Sequence, residues 1–291
     1  MLQTIEAPPR FSFRFELFSD MTDTSFVPIE RGPLAALDLL RISTSGPVVH
    51  LRLMRPEKCN AISDPLIRQL HTAFVNLPAG ALAAVISGEG EHFCAGLDLS
   101  ELCERDAGGG LLHSRMWHAA FDQIQFGRVP VVAALHGAVV GGGLELASAC
   151  HIRVAARSTY YGLPEGQRGL FVGGGGSVRI PRLIGVARVT DMMLTGRVYD
   201  AEEGHATGLS QYLVDDDQVV DRATQLAHRI AGNAPLSNYA VIHALPRIAD
   251  QSQADGLLTE SLMAAVAEST GEAKDRMRAF LDKRAGKIAK A

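Results

Sequence analysis

Two hydrophobic periods alternate along the chain from residue 47 onward. Residues 47–54, PVVHLRLM, put Val49, Leu51 and Leu53 on one face, which predicts a half-buried strand. Ser63 then opens a segment in which Leu66, Ile67, Leu70 and Phe74 recur at helical spacing, with Ser63 or Asp64 as the cap and Pro65 in the first turn. The unbroken apolar runs at 81–87 (ALAAVIS) and 129–135 (VPVVAAL) have strand length and predict strands buried on both faces. Between them the pattern predicts a loop, GEGEHFCAG, a helix from about Asp98 and another over 111–126. A short strand, HIRVAA, follows at 151–156. Strands alternating with helices predict an α/β architecture with much parallel pairing.

Beyond about residue 185 the period is helical. Segments 186–195, 200–207, 217–231, 236–249, 255–269 and 272–285 fit it, and only LSQYLV at 209–214 reads as extended. Asp200 with Glu203 resembles a capping box. The division expected is an extension over 1–40, an α/β core over 41–215 and a helical region over 216–291. Residues 1–40 mix Pro, Phe and Arg without a period and lack the basic start and apolar core of a secretory signal. Met21 is a plausible second start.

Composition narrows the function classes. In 291 residues, 47% are hydrophobic and 21% charged, enough for a large core. The net charge of −4 leaves no footprint for nucleic acid or an anionic membrane. The apolar run from Val129 to Val140 contains His136 and Gly137 and is too short to span a bilayer. Cys59, Cys94, Cys103 and Cys150 form no CxxC pair, so neither a disulfide framework nor a zinc site is expected. Buried, reduced thiols in a cytoplasmic protein with no metal are the expectation.

The stretch HGAVVGGGLELASAC, 136–150, sets three glycines and Glu145 inside an apolar context. Its glycines serve a sharp strand-to-helix turn, or they expose free N–H groups at a helix start to an oxygen that gains charge. No Lys-Ser/Thr follows them, so a phosphate loop is disfavoured. EHFCAGLDL at 91–99 is a second loop-to-helix turn that could aim another N–H at the same oxygen. Glu165 lies in STYYGLPEGQRG, twenty residues after Glu145. Two carboxylates facing each other across a substrate would hold one water and move two protons.

Taken together these segments resemble the crotonase (enoyl-CoA hydratase/isomerase) superfamily. RPEKCNAIS (55–63), HFCAGLDLSEL (92–102), VPVVAALHGAVVGGGLELASAC (129–150), YYGLPEGQRGLFVGGGGSVRIPRLIG (160–185) and MMLTGRVYDAEEGHATGLSQYLV (192–214) match in order. The resemblance implies a spiral of ββα units with a helical C-terminal region that builds trimers, often paired into hexamers. It implies that Leu97 and Gly142 donate the N–H pair to a thioester carbonyl, and that Glu145 and Glu165 are the catalytic acids. Ala95 and Lys58 would meet the adenine end of coenzyme A, and Phe280 and Lys283 would reach it from an adjacent subunit. No cofactor is implied beyond the coenzyme A of the substrate.

Retention of both glutamates favours hydration of a short enoyl-CoA over the isomerase and hydrolase activities of the same superfamily. LPEGQRGLFVGGGGS, with HFCAGLDL, Trp117 and His118, is similar to the methylthioacryloyl-CoA hydratases. In those, hydration leads to loss of methanethiol and the thioester is also hydrolysed. Gln167 and Arg168 depart from the aliphatic run common in the family and would alter the acyl pocket, and Val172 stands where Pro is common before the glycine loop. Trp117 packs in the core or lines that pocket, and His136 reads as structural. From other classes, an RNA-binding crotonase relative is opposed by the net acidity, and a purely structural oligomer would make both glutamates incidental.

Overall fold

A computed structural model of the protein describes residues 25–101 and 104–282. Among the described residues ten strands lie in two sheets: β1 (Val27–Pro28), β2 (Leu40–Ser45), β3 (Val48–Leu53), β4 (Ala83–Gly88), β5 (Val131–Leu135), β6 (Ala138–Val140), β7 (Ile152–Ala156), β8 (Tyr160–Gly162), β9 (Tyr199–Asp200) and β10 (Tyr212–Val214). The larger sheet runs β1-β2-β3-β4-β5-β7-β10 and the smaller β6-β8-β9. From β3 to β10 all neighbours of the larger sheet are parallel.

Each circuit of the chain visits both sheets before a helix returns it. After β4, Cys94 bridges to Val139 of β6, then α2 (Ala107–Gln125) leads to β5. After β5 come β6 and α3 (Gly142–Ala149); after β7 come β8, α4 (Gly176–Ile184) and α5 (Val186–Thr195). This is the expected spiral of ββα units.

Both faces of the larger sheet are covered, which explains the unbroken apolar strands. Val49, Leu51, Ala84, Ile86, Val131 and Ala133 join the main core with α1 (Asp64–Val75) and α2. The alternate residues Val48, Ala83, Val85, Val132 and Ala134 face α7 (Val219–Ala231). The N-terminus of α1 is set by Ser63, whose Oγ accepts from Leu66 N. Helix α6 (Ala201–Thr207) is capped by Asp200, which accepts from Glu203 N.

Four local expectations change. Residues 40–45 form β2 although the pattern did not show it: Ser43 and Ser45 sit on the buried face, and Ser45 Oγ lies 3.3 Å from His228 Nε2. The helix expected from Asp98 is a 3₁₀ turn over Leu99–Glu101, at whose start the Asp98 carboxylate accepts from Ser100 and from Arg55. Segment 236–249 divides into α8 (Pro235–His243) and α9 (Leu245–Ala249), with Pro246 in the first turn of the second. Within the segment assigned to an extension, Leu34 is buried in the main core and β1 pairs with β2; residues 1–24 lie outside the described part.

The chain ends in α10 (Gln253–Glu268) and α11 (Gly271–Leu281). Leu257, Leu258, Leu262, Met277, Phe280 and Leu281 on these helices are exposed.

Candidate active site

The first of the two turns is fixed by backbone pairing. Ile62 N donates to Gly96 O (2.6 Å) and Asp98 N to Ile62 O (2.9 Å). These bonds straddle Leu97, so its own N–H is directed away from that pairing. Asn60, wholly buried with φ +54°, ties the preceding loop in place: its Nδ2 donates to Glu89 O and His92 O at 2.8 and 2.7 Å. Arg55 clamps Asp98 at 2.7 Å. The Ser100 hydroxyl and the Arg55 guanidinium hold the Asp98 carboxyl down to about 2.

At the second turn Gly141, with φ +52°, reverses the chain between β6 and α3, a conformation that favours glycine. Leu144 and Glu145 donate their N–H groups to Gly141 O. Gly142 occupies the first helical position, where an N–H has no helical acceptor. The turns meet closely: a Cβ added to Gly142 would lie 3.6 Å from Leu97 N, and one added to Gly96 would lie 3.5 Å from Gly142 N. The same Gly142 position is 2.8 Å from the Trp117 ring, so any side chain there collides.

Glu145 is 3% exposed on the first turn of α3. Its Oε1 accepts from Gly174 N and Gly176 N, each at 2.8 Å. Burial outweighs these donors and, with the neighbouring Glu165 charge, pushes the carboxyl up to about 7. Glu165 precedes the 3₁₀ turn Gly166–Arg168. Burial raises its carboxyl too, and its Oε2 is buried with no hydrogen-bond partner among the described residues. Its Oε1 is 2.6 Å from where a Cβ on Gly141 would stand.

Leu97, Gly142, Glu145 and Glu165 line one pocket of about 440 Å³, together with Ala95 and Trp117. Ala95 donates its N–H to Cys59 O, which leaves its carbonyl for a ligand. Trp117 fills both roles weighed for it: 4% exposed and edge-on to Phe121 at 5.7 Å, it also borders the pocket. His136 lies outside the pocket lining, with Nε2 3.0 Å from Gly90 O. Lys58 and Phe280 are exposed and are not in the lining, and Lys283 lies outside the described residues. A pocket of about 330 Å³ between the β2–β3 pair and α7 holds none of the expected residues.

Sequence reasoning missed the amides of Gly174 and Gly176 that orient Glu145, and the Arg55–Asp98 and Asn60 supports beneath Leu97. The Asn in RPEKCNA was the available signal, since Asn tolerates a left-handed backbone better than most residues.

The family model described as enoyl-CoA hydratase/isomerase matches residues 43–289. A probable enoyl-CoA hydratase of Rhizobium meliloti is 32% identical over 85% of this chain and 96% of its own length. A short-chain-enoyl-CoA hydratase of Clostridium acetobutylicum is 29% identical over 84% of this chain and 94% of its own. Among solved structures, a putative enoyl-CoA hydratase from Rhodopseudomonas palustris superposes with a TM-score of 0.83 at 59% identity, covering 85% of this chain and 96% of that one.

Proposed function

Since this chain belongs to the enoyl-CoA hydratase/isomerase family, we propose that it adds water across the α,β-double bond of a short acyl-CoA thioester. The observation that carries the reading is the placing of two buried-side carboxylates beside a pair of adjacent main-chain amides in one pocket.

The N–H groups of Leu97 and Gly142 receive the thioester oxygen. As water attacks C3, negative charge moves onto that oxygen, and preorganised donors stabilise it at no reorganisation cost; one such donor is worth roughly 3 kcal/mol. Glu145, held by two N–H donors that favour its anionic form, orients the water and takes its proton. Glu165, whose Oε2 has no donor to stabilise a charge, delivers a proton to C2. An isomerase moves one proton between two carbons and needs one acid-base group, so the pair favours hydration. The amides supply the charge stabilisation, so the step calls for no metal or redox cofactor.

Within this reading, the LPEGQRGLFVGGGGS stretch favours methylthioacryloyl-CoA as the acyl substrate, and Arg168 and Val172 of that stretch border the pocket. The exposed apolar side chains of α10 and α11 favour assembly into a trimer or hexamer that covers them and brings Phe280 and Lys283 to a neighbour's coenzyme A. Buried thiols at Cys94 and Cys150, pushed up to about 12 by burial, suit a reducing cytoplasm.

The test is a panel of crotonyl-CoA and methylthioacryloyl-CoA, following loss of the conjugated enoyl absorbance and release of thiol. Hydration of either supports the activity, and thiol release supports the finer assignment. Failure on every short enoyl-CoA sinks the hydratase reading. Light scattering of the same preparation at the mass of one chain would refute the assembly.

A further inference from the structure

The loop that grips Glu145 is itself gripped from behind, by a side chain that does not border the pocket. Arg179 stands one turn into α4 and folds back over the loop from which that helix starts. It is a charged group only 9% exposed. Its Nη1 donates to Gly174 O at 2.9 Å, its Nε to Gln125 Oε1 at 2.6 Å and its Nη2 to Asp122 Oδ1 at 2.9 Å. The planar fork thus joins the glycine loop to two residues of α2.

Gly174 is pinned on both sides. Arg179 takes its carbonyl, while its N–H donates to Glu145 Oε1 at 2.8 Å. That N–H shares a planar peptide with Gly173 O, which accepts from Ser114 Oγ at 2.6 Å. Gly175 has φ +98°, and a Cβ there would collide with Nη1 of Arg179. The guanidinium therefore lies against the turn between the two amides, of Gly174 and Gly176, that hold Glu145.

A tie between two helices needs no charge. Burial opposes the ionisation of Arg179, and Asp122, its ion-pair partner, is half exposed. What the charge does is act on Glu145, which it favours as the anion against burial. The other titratable groups near this carboxylate are Glu165, from the facing loop, which disfavours the anion, and Cys150, a buried thiol at the end of α3. His118 and Asp122 of α2 lie around Arg179 itself, and Arg182 of α4 is turned outward to Asp250. Resting on the hydratase reading of this site, we propose that Arg179 is a positioning residue for the hydration step. It fixes the Gly174 and Gly176 amides against Glu145 and supplies the cation that keeps this carboxylate ready to take the proton of water.

The test is the pH dependence of crotonyl-CoA hydration by the intact protein and its Arg179 variants, each assayed well below its melting temperature. Arg179→Gln removes fork and charge together. Its kcat is expected to fall about a hundredfold, and the acid limb of kcat/KM to move up by about one pH unit. The limb moves up because Glu145, without the nearby cation, holds its proton to higher pH. Arg179→Lys keeps the charge and loses the fork, so kcat should fall about tenfold with the limb in place. KM should stay unchanged in both, since Arg179 does not border the pocket. Added to Glu145→Gln, the Arg179→Gln change should cost nothing more. An unmoved limb in Arg179→Gln, or an equal fold-loss with and without Glu145, makes Arg179 a strut and overturns the proposal. Should Arg179→Gln fail to fold, full kcat in Arg179→Lys overturns it. An unaltered protein that hydrates no short enoyl-CoA removes the hydratase reading itself, an outcome seen before any variant is made.

Discussion

Glu145 and Glu165 face one pocket from walls of different construction. Glu145 sits on a regular helix, is almost wholly buried, and has one carboxylate oxygen fixed by two N–H donors from the start of α4. Glu165 stands in a Pro/Gly-bounded loop, half-buried, with one oxygen that meets no donor. The first wall fixes one carboxylate oxygen with main-chain donors and the second leaves one oxygen without a donor, while burial raises both carboxyls. Different surroundings of this kind are what the proposed division of one residue type into two roles would require.

Replacing either acid should have the largest effect. Glu145→Gln and Glu165→Gln are each expected to lower kcat by ~10²–10⁴-fold, the range for loss of a general acid or base. Circular dichroism should show an unchanged fold. A single variant at full turnover would remove that carboxylate from the mechanism.

The contrast between walls is sharper in their glycines. A Cβ on Gly176 would stand 2.8 Å from Cγ and 2.9 Å from Oε1 of Glu145, so Gly176→Ala must displace the carboxylate. Misplacement on that scale costs roughly 10²-fold in kcat. Gly169, on the other wall, has φ +70° but open space around its Cβ position. Gly169→Ala should therefore cost only about 1 kcal/mol of stability through backbone strain. Equal kcat losses in steady-state assays of the two variants would erase the distinction.

The smallest effect is on stability. The Glu145 carboxyl is raised from 4.5 to about 7, so the fold prefers it protonated. Below the ordinary value, folded and unfolded chains are both protonated and there is no penalty. As pH rises from there through about 7, stability is lost. Gln keeps an acceptor for Gly174 and Gly176 without the charge. Glu145→Gln should thus raise the melting temperature above neutrality, by an amount equivalent to at most ~3 kcal/mol, and the gain should vanish in acid. Identical melting curves above pH 8 would show that the buried charge is stabilised by something other than those two amides.

Much of this was legible along the chain. The double burial of 81–87 and 129–135 showed as unbroken apolar runs, because a strand between two layers has no wet face. The caps Ser63 and Asp200 were visible because local side-chain bonds are written in adjacent residues. Strand β2 was hidden because Ser43 and Ser45 face an interior layer where the pattern calls for apolar side chains. At Asp98 only half was local: one carboxylate oxygen accepts from the N–H of Ser100 two residues on, and the other from the distant Arg55.

By itself the sequence determined which residue types are present and which short segments bend, pair or coil, since those follow from interactions within a few residues. It therefore set two glycine turns and two glutamates in a recognisable order. Only the tertiary structure decided that Leu97 and Gly142 stand side by side, that Gly174 and Gly176 grip Glu145, and that Arg179 reaches Asp122 and Gln125 of α2. Those contacts join segments tens of residues apart. Their geometry is fixed by how the two sheets and α2 pack, and no local pattern encodes it.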